Sequence, residues 1–176
     1  TGSSYSIMAF DALGNQIYYQ PSVTSQTSLL SSTSGAALIG YQASGTGAVA
    51  ETVAGVLGRT IWLDDYGAVG NGTTDDSTAL QNAINALGTS GGVVKLTAGK
   101  TYKYTSGLTI SNNGVVIEGP EAFAGTQLLW YGTTGNSITI SGQYSGLRNV
   151  YLRGGQPSGA SAPTAGYAVQ IANTYH

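Results

Sequence analysis

Eight acidic side chains are this chain's candidates for general acid–base work, and they fall mainly as Asp64-Asp65, Asp75-Asp76, Glu118 and Glu121. Glycoside hydrolysis uses two carboxylates held about 5–5.5 Å or about 6.5–9.5 Å apart. Both adjacent pairs stand at turn and helix-start positions, where hydrogen bonding to nearby backbone accounts for them without catalysis. Glu118 follows an apolar run and precedes Gly119-Pro120, so an outward-facing carboxylate at a corner is expected. A polysaccharide lyase would need a Lys, Tyr, His or Arg base, often beside Ca²⁺ held by clustered acids. Arg148 and Arg153 flank Tyr151, an arrangement that suits a sugar-binding face, although solvated charges on an exterior strand are the simpler expectation. Tyrosine occurs 12 times, and exposed tyrosines stack on sugar rings and donate hydrogen bonds. Tyr102, Tyr104, Tyr131 and Tyr144 are candidates, against a simpler placement on half-buried strands. Possible glycan contacts are therefore Tyr131, Tyr144, Arg148 and Tyr151. No catalytic, cofactor-binding or metal-binding residue is assigned, and no cofactor is implied.

The elements that must carry these residues are mostly short strands. Among 176 residues, 27 are glycine and 8% are charged, against averages of about 7% and about 25%. Such a composition suits stacked β coils with tight corners, or a chain that buries surface in an oligomer. The net charge of −2 comes without a basic stripe, which argues against nucleic-acid or anionic-membrane partners. No apolar run approaches the roughly 18 residues of a membrane span. The absence of cysteine removes disulfides and thiol chemistry.

Residues 5–10 and 16–20 are β-prone runs separated by DALGN, which predicts a hairpin with a loop of about five residues. Residues 21–47 form a Ser/Thr/Gly-rich segment, read either as a linker or as an arm ordered only in an assembly. Residues 48–57 carry Val49, Val53, Val56 and Leu57 at helical spacing, which predicts a short amphipathic helix ended by Gly58. Asn71-Gly72 is a turn signal. Asp76 is placed to cap a helix from Ser77 to about Leu87, whose Leu80, Ala83, Ile84 and Leu87 share one face. That helix can cover the open end of a stack of strands, whose edges otherwise invite aggregation.

Beyond Gly92 a faint repeat emerges. Leu108-Thr-Ile110, Ile138-Thr-Ile140 and Val169-Gln-Ile171 recur 30 and 31 residues apart, each alternating in, out, in. Periods of this length with Gly/Asn corners signify a solenoid. Residues 154–166 read as an inserted loop. Thr1 is not a natural start and the repeat is cut at His176, so a piece of a longer protein is expected.

The stretch Trp62–Leu96, WLDDYGAVGNGTTDDSTALQNAINALGTSGGVVKL, together with SGAALIGYQASGTGAVAETV before it, resembles the opening of the pectate-lyase-like β-helix of bacteriophage tailspikes. The match covers roughly residues 35–154, and Asn71 stands where the family motif often has Asp. The resemblance implies a mainly β fold: a short hairpin and neck helix followed by the capped beginning of a right-handed parallel β-helix, in a homotrimer. It implies a virion-attachment hairpin and arm over 1–47, a neck over 48–61 and the first coils over 62–176. Val49, Val53, Val56 and Leu57 would then meet their copies on a threefold axis. Partners would be a phage tail or baseplate protein and, through later coils, a host surface polysaccharide such as capsule, with depolymerase activity lying beyond His176. The protein would be extracellular, on the virion, with no membrane insertion. The motif also occurs in secreted bacterial pectate-lyase-like enzymes, and a glycan-binding adhesin without cleavage is a further alternative.

Overall fold

The computed structural model describes residues 4–24, 35–121, 125–154 and 168–172. The loop expected at 154–166 and the end of the repeat at His176 lie outside them, save Gly154 itself. The chain divides into two compact units, Thr1–Leu57 and Gly58–His176.

In the first unit, β1 (Ser4–Phe10) and β2 (Gln16–Thr24) pair antiparallel. Asp11 shapes the turn between them by accepting the Leu13 and Asn15 amides at 2.9 and 2.8 Å. Two short helices, α1 (Gly35–Leu38) and α2 (Val53–Leu57), accompany an antiparallel pair, β3 (Gly40–Gln42) and β4 (Ala50–Thr52). The helix expected over 48–57 is therefore only half formed. Ala50–Thr52 is drawn into the ladder with Gly40–Gln42, and Thr52 Oγ1 then caps α2 by accepting the Gly55 amide at 3.0 Å. A cap on the last strand residue fixes the helix start there, whatever periodicity lies upstream. Val49 thus stands outside the helix and is exposed, Leu57 is exposed, and Val53 and Val56 are half-buried.

The second unit is built of parallel sheets, a β-helix-like arrangement. β5 (Thr60–Trp62), a 3-10 turn over Leu63–Tyr66, β6 (Asn71–Asp75) and α3 (Ser77–Ala86) open it. Three coils follow: β7 (Gly92–Lys95), β8 (Thr101–Tyr104) and β9 (Leu108–Ile110); β10 (Val115–Glu118), β11 (Gln127–Trp130) and β12 (Ile138–Ile140); β13 (Gly146–Arg148), β14 (Tyr151–Gly154) and β15 (Val169–Ile171). Equivalent strands stack into the sheets β5-β7-β10-β13, β6-β8-β11-β14 and β9-β12-β15. In the third sheet Leu108, Ile138 and Val169 fall in register, as the repeat predicts.

Inward positions form columns because the side-chain period is two and the parallel pairs hold register from coil to coil, apart from a shift between Asn71 and Asp75 where β6 meets β8. Ile61, Val94, Ile117 and Leu147 make one column, and Tyr102, Leu128 and Leu152 another. Each fully buried aliphatic among them, Val94, Ile117 and Leu128, contributes about 1.5–3 kcal/mol.

The helix α3 occupies the chain position where the opening coil would have its third strand. Its Leu80, Ala83 and Ile84, with Leu87 beyond it, are buried in the common core. Gln81 completes the edge of β9: its Nε2 donates to the Thr109 carbonyl at 3.0 Å and its Oε1 accepts the Thr109 amide at 2.9 Å. One side chain thus supplies what a neighbouring strand would. Gln81→Ala is expected to lose about 1–2 kcal/mol and to expose a pairing edge. Urea melts would read the first effect, and sedimentation would read added association. Gln81→Glu sets a carboxylate against the Thr109 carbonyl, so its deficit should shrink at acid pH; equal deficits at pH 7 and pH 4 would refute the strand-mimic role.

Asp76 sits at the start of α3, but its carboxylate does not cap the helix amides. It turns back to accept Val69 and Gly70 amides at 2.8 and 3.1 Å. Asp75 instead accepts the Ser77 amide at 3.0 Å and bonds the Ser77 and Thr105 hydroxyls. Asn71 accepts the Thr73 and Thr74 amides at 2.9 and 2.8 Å, an Asx turn consistent with Asn71-Gly72.

Candidate functional site

The outer face of the first sheet carries a column in register: Trp62, Lys95, Glu118 and Arg148, one at the end of each successive strand. Their neighbours Ile61, Val94, Ile117 and Leu147 point inward, so strand alternation sends these four outward. Lys95 Nζ lies 2.6 Å from Glu118 Oε1, and Arg148 Nη2 donates to Oε2. Glu118 stands on the outer face at the end of its strand, and the two cations that flank it leave it only 3% exposed. Hydrogen bonds from Lys95 and Arg148 hold its carboxyl below the usual range. Held ionised with both oxygens engaged, it is poorly suited to deliver a proton. The wall of a recess of about 290 Å³ is formed by Trp62, Lys95, Leu96, Glu118, Pro120 and Glu121. The residues that follow β7 and β10 complete its lining. It offers an indole face, an ammonium group and carboxylates, a combination for binding a polar ring.

Other acids act as clips between coils. Asp64 accepts Thr97 Oγ1, Lys100 Nζ and Tyr102 Oη at 2.9, 2.7 and 2.9 Å. Burial pushes its carboxyl up, but those three donors and the Lys100 charge outweigh burial and leave it lowered. At Asp75 burial also raises, and the bonds from Ser77 and Thr105 prevail.

A carboxyl with a depressed folded pKa stabilises fully above its unfolded value of about 4, and that stabilisation is lost as pH falls through the lower folded value. The melting temperature should therefore be level from neutral to about pH 5 and fall below about pH 4. Glu118→Gln should shallow the acid limb, and an unchanged acid slope would show that the ladder contributes nothing.

No family model and no curated protein matches this chain. Among solved structures it is similar to Geobacillus virus E2 ORF18, with 23% identity and a TM-score of 0.39 over 57% of this chain and 26% of that one. It is also similar to tailspike protein variants of E. coli bacteriophage HK620. One shows 20% identity and a TM-score of 0.41, covering 69% of this chain and 26% of that chain. Another, in complex with a pentasaccharide, shows 16% identity and a TM-score of 0.41, covering 70% and 32%. The chain thus spans about a quarter to a third of these proteins.

The glycan contacts expected from sequence are scattered. Tyr102 and Tyr104 are fully buried in the core rather than exposed. Arg148 ends a strand of the first sheet, whereas Tyr151 and Arg153 belong to the second, across a corner where Asn149 has φ 52°. Arg148 and Arg153 therefore do not flank one strand. Tyr131 follows the second sheet, with Lys103 Nζ 5.0 Å from its ring centre. Tyr144 is 82% exposed, in the turn before β13. Trp62 was readable as the outward partner of Ile61, but nothing in the sequence alone aligns it with Lys95 and Glu118. Among the described residues no helix is long and apolar enough to cross a membrane.

Proposed function

We propose that this chain is the particle-proximal part of a phage tailspike. Residues 1–47 would attach the spike to the tail or baseplate, and 48–61 would form the neck. From residue 62 a β-helix begins, with Leu80, Ala83 and Ile84 of α3, and Asp76 and Leu87 at its two ends, as lid. In the whole protein, a homotrimer on the virion, later coils would bind and degrade host surface polysaccharide. The observation that carries this reading is the stack of parallel coils that begins within the Trp62–Leu96 motif and is opened by a helix in place of a strand.

The intact protein should elute with a trimer's mass in light scattering, and monomers at every concentration would refute the reading. Incubated with host capsule it should release reducing ends or unsaturated uronates. Binding without release would point to a non-cleaving adhesin. The engagement of both Glu118 oxygens by cations favours binding over turnover within these coils, and cleavage by this chain alone would overturn that.

A further inference from the structure

The chain has two tryptophans, and they differ sharply. Trp130 is 9% exposed in the core, whereas Trp62 is 49% exposed on the outer face of the first sheet. A singly exposed aromatic needs no partner; what distinguishes Trp62 is the concave, mixed surface it helps to line. Trp62 lines the recess of about 290 Å³ together with apolar Leu96, Ala98 and Pro120 and with charged Lys95, Glu118 and Glu121.

We propose that this recess binds one neutral pyranose unit of a polysaccharide, a reading that rests on the glycan partner proposed above. Three features select that ligand. The indole presents a flat apolar face with electron-rich character, which the C–H face of a pyranose ring covers. The polar rim presents donors and acceptors together: the Lys95 ammonium has three N–H groups with one directed at Glu118, and Glu121 contributes a carboxylate. Such a mixed rim matches ring hydroxyls, which both donate and accept. The surrounding charge is balanced, with Lys95 and Arg148 against Glu118 and Glu121, so no local field favours an anionic sugar or a cation.

The test uses the intrinsic fluorescence of the 176-residue chain with acrylamide as quencher. Maltohexaose, cellohexaose, dextran oligomers and chitopentaose are titrated as neutral probes, and an oligogalacturonate as the charged one. At least one neutral oligosaccharide should give saturable protection of the quenchable tryptophan. Trp62→Ala should weaken that binding at least about tenfold, by direct titration in a calorimeter, with far-ultraviolet dichroism unchanged. Trp62→Phe should retain part of the affinity and serves if the alanine variant misfolds. Val69→Ala, at an exposed residue that does not line the recess, should bind normally. The proposal is overturned if no neutral probe saturates, if only oligogalacturonate does, or if binding persists in Trp62→Ala. Concentration-dependent shielding of Trp62 without sugar would also overturn it, assigning the face to a second copy of the chain. If the intact spike is trimeric and degrades capsule while the recess is silent, the recess alone is refuted. A saturating recess in a monomeric protein without capsule binding would refute the spike instead.

Discussion

Gly142→Ala is expected to destabilise the second unit by about 3 kcal/mol or more, enough to lower its melting temperature by roughly 10 °C. A Cβ at residue 142 would stand 1.9 Å from the Asn112 carbonyl oxygen of the preceding coil. The obstacle is backbone, which cannot rotate away as a flexible side chain would. Coils stack about 4.8 Å apart because their ladders of hydrogen bonds demand it, so relief at the corner must come from breaking neighbouring bonds. The Ser141 and Gly142 amides both donate to the Ile110 carbonyl, at 2.9 and 3.0 Å, and are the first at risk. Gly119 and Gly107 meet the same obstacle, at 2.1 Å from the Asn149 oxygen and 2.4 Å from the Asn136 oxygen. Alanine there should be comparably damaging. Gly146, which has nothing within 4 Å and no positive φ, is the control. Gly146→Ala should fall within about 0.5 kcal/mol of the parent, or stabilise by restricting the unfolded chain. Equal melting temperatures for the 142 and 146 variants would mean that the coils are not packed at this spacing.

The residues themselves show why some of this architecture was legible in the sequence and some was not. Local chemistry reads well. The helix from Ser77, the Asx turn at Asn71 and the hairpin around Asp11 each depend on residues a few positions apart. The column Leu108–Ile138–Val169 was legible because its two intervals happen to be nearly equal. The ladder through Glu118 was hidden because its intervals are unequal: Lys95 lies 23 residues before Glu118 and Arg148 lies 30 after. Corner lengths set those intervals, and composition does not specify corner lengths. For the same reason Trp62 reads as the start of a motif rather than as a side chain over Lys95. Two further misreadings had nearer causes. The helical spacing from Val49 lost to a strand partner at Gly40–Gln42, an interaction outside any local window. Asp76 carries the right chemistry for a helix cap, yet the two amides at Val69 and Gly70 took its carboxylate, and Asp75 took the helix start. In each case a tertiary donor displaced the local one.

The second large effect is expected at Tyr104, where a polar group is carried into the middle of the stack. Tyr104 is fully buried, its ring centroid is 5.1 Å from that of Trp130 in the next coil, and its hydroxyl bonds Ser137. Tyr104→Ala removes the ring beneath Trp130 and enlarges a cavity of about 70 Å³ already bordered by Tyr104, Trp130, Ser137 and Leu152. The expected cost is about 3–5 kcal/mol, from lost transfer energy and from a void that the rigid coils cannot close. Tyr104→Phe keeps the packing and should cost about 1 kcal/mol, because Ser137 is left buried without its phenol partner. Chemical denaturation of the two variants separates these contributions. Alkaline pH tests the same group without mutation. Burial pushes the Tyr104 phenol up to about 12, so its contribution is intact below the unfolded value of about 10 and is lost as pH rises through the folded one. Burial likewise raises Tyr102 to about 12, with Asp64 adding to the effect. Tyr104→Phe should therefore weaken, but not abolish, the alkaline loss of stability. If the alanine variant melts with the phenylalanine one, the ring is not part of the core, and the stacked interior on which the fold depends is wrong.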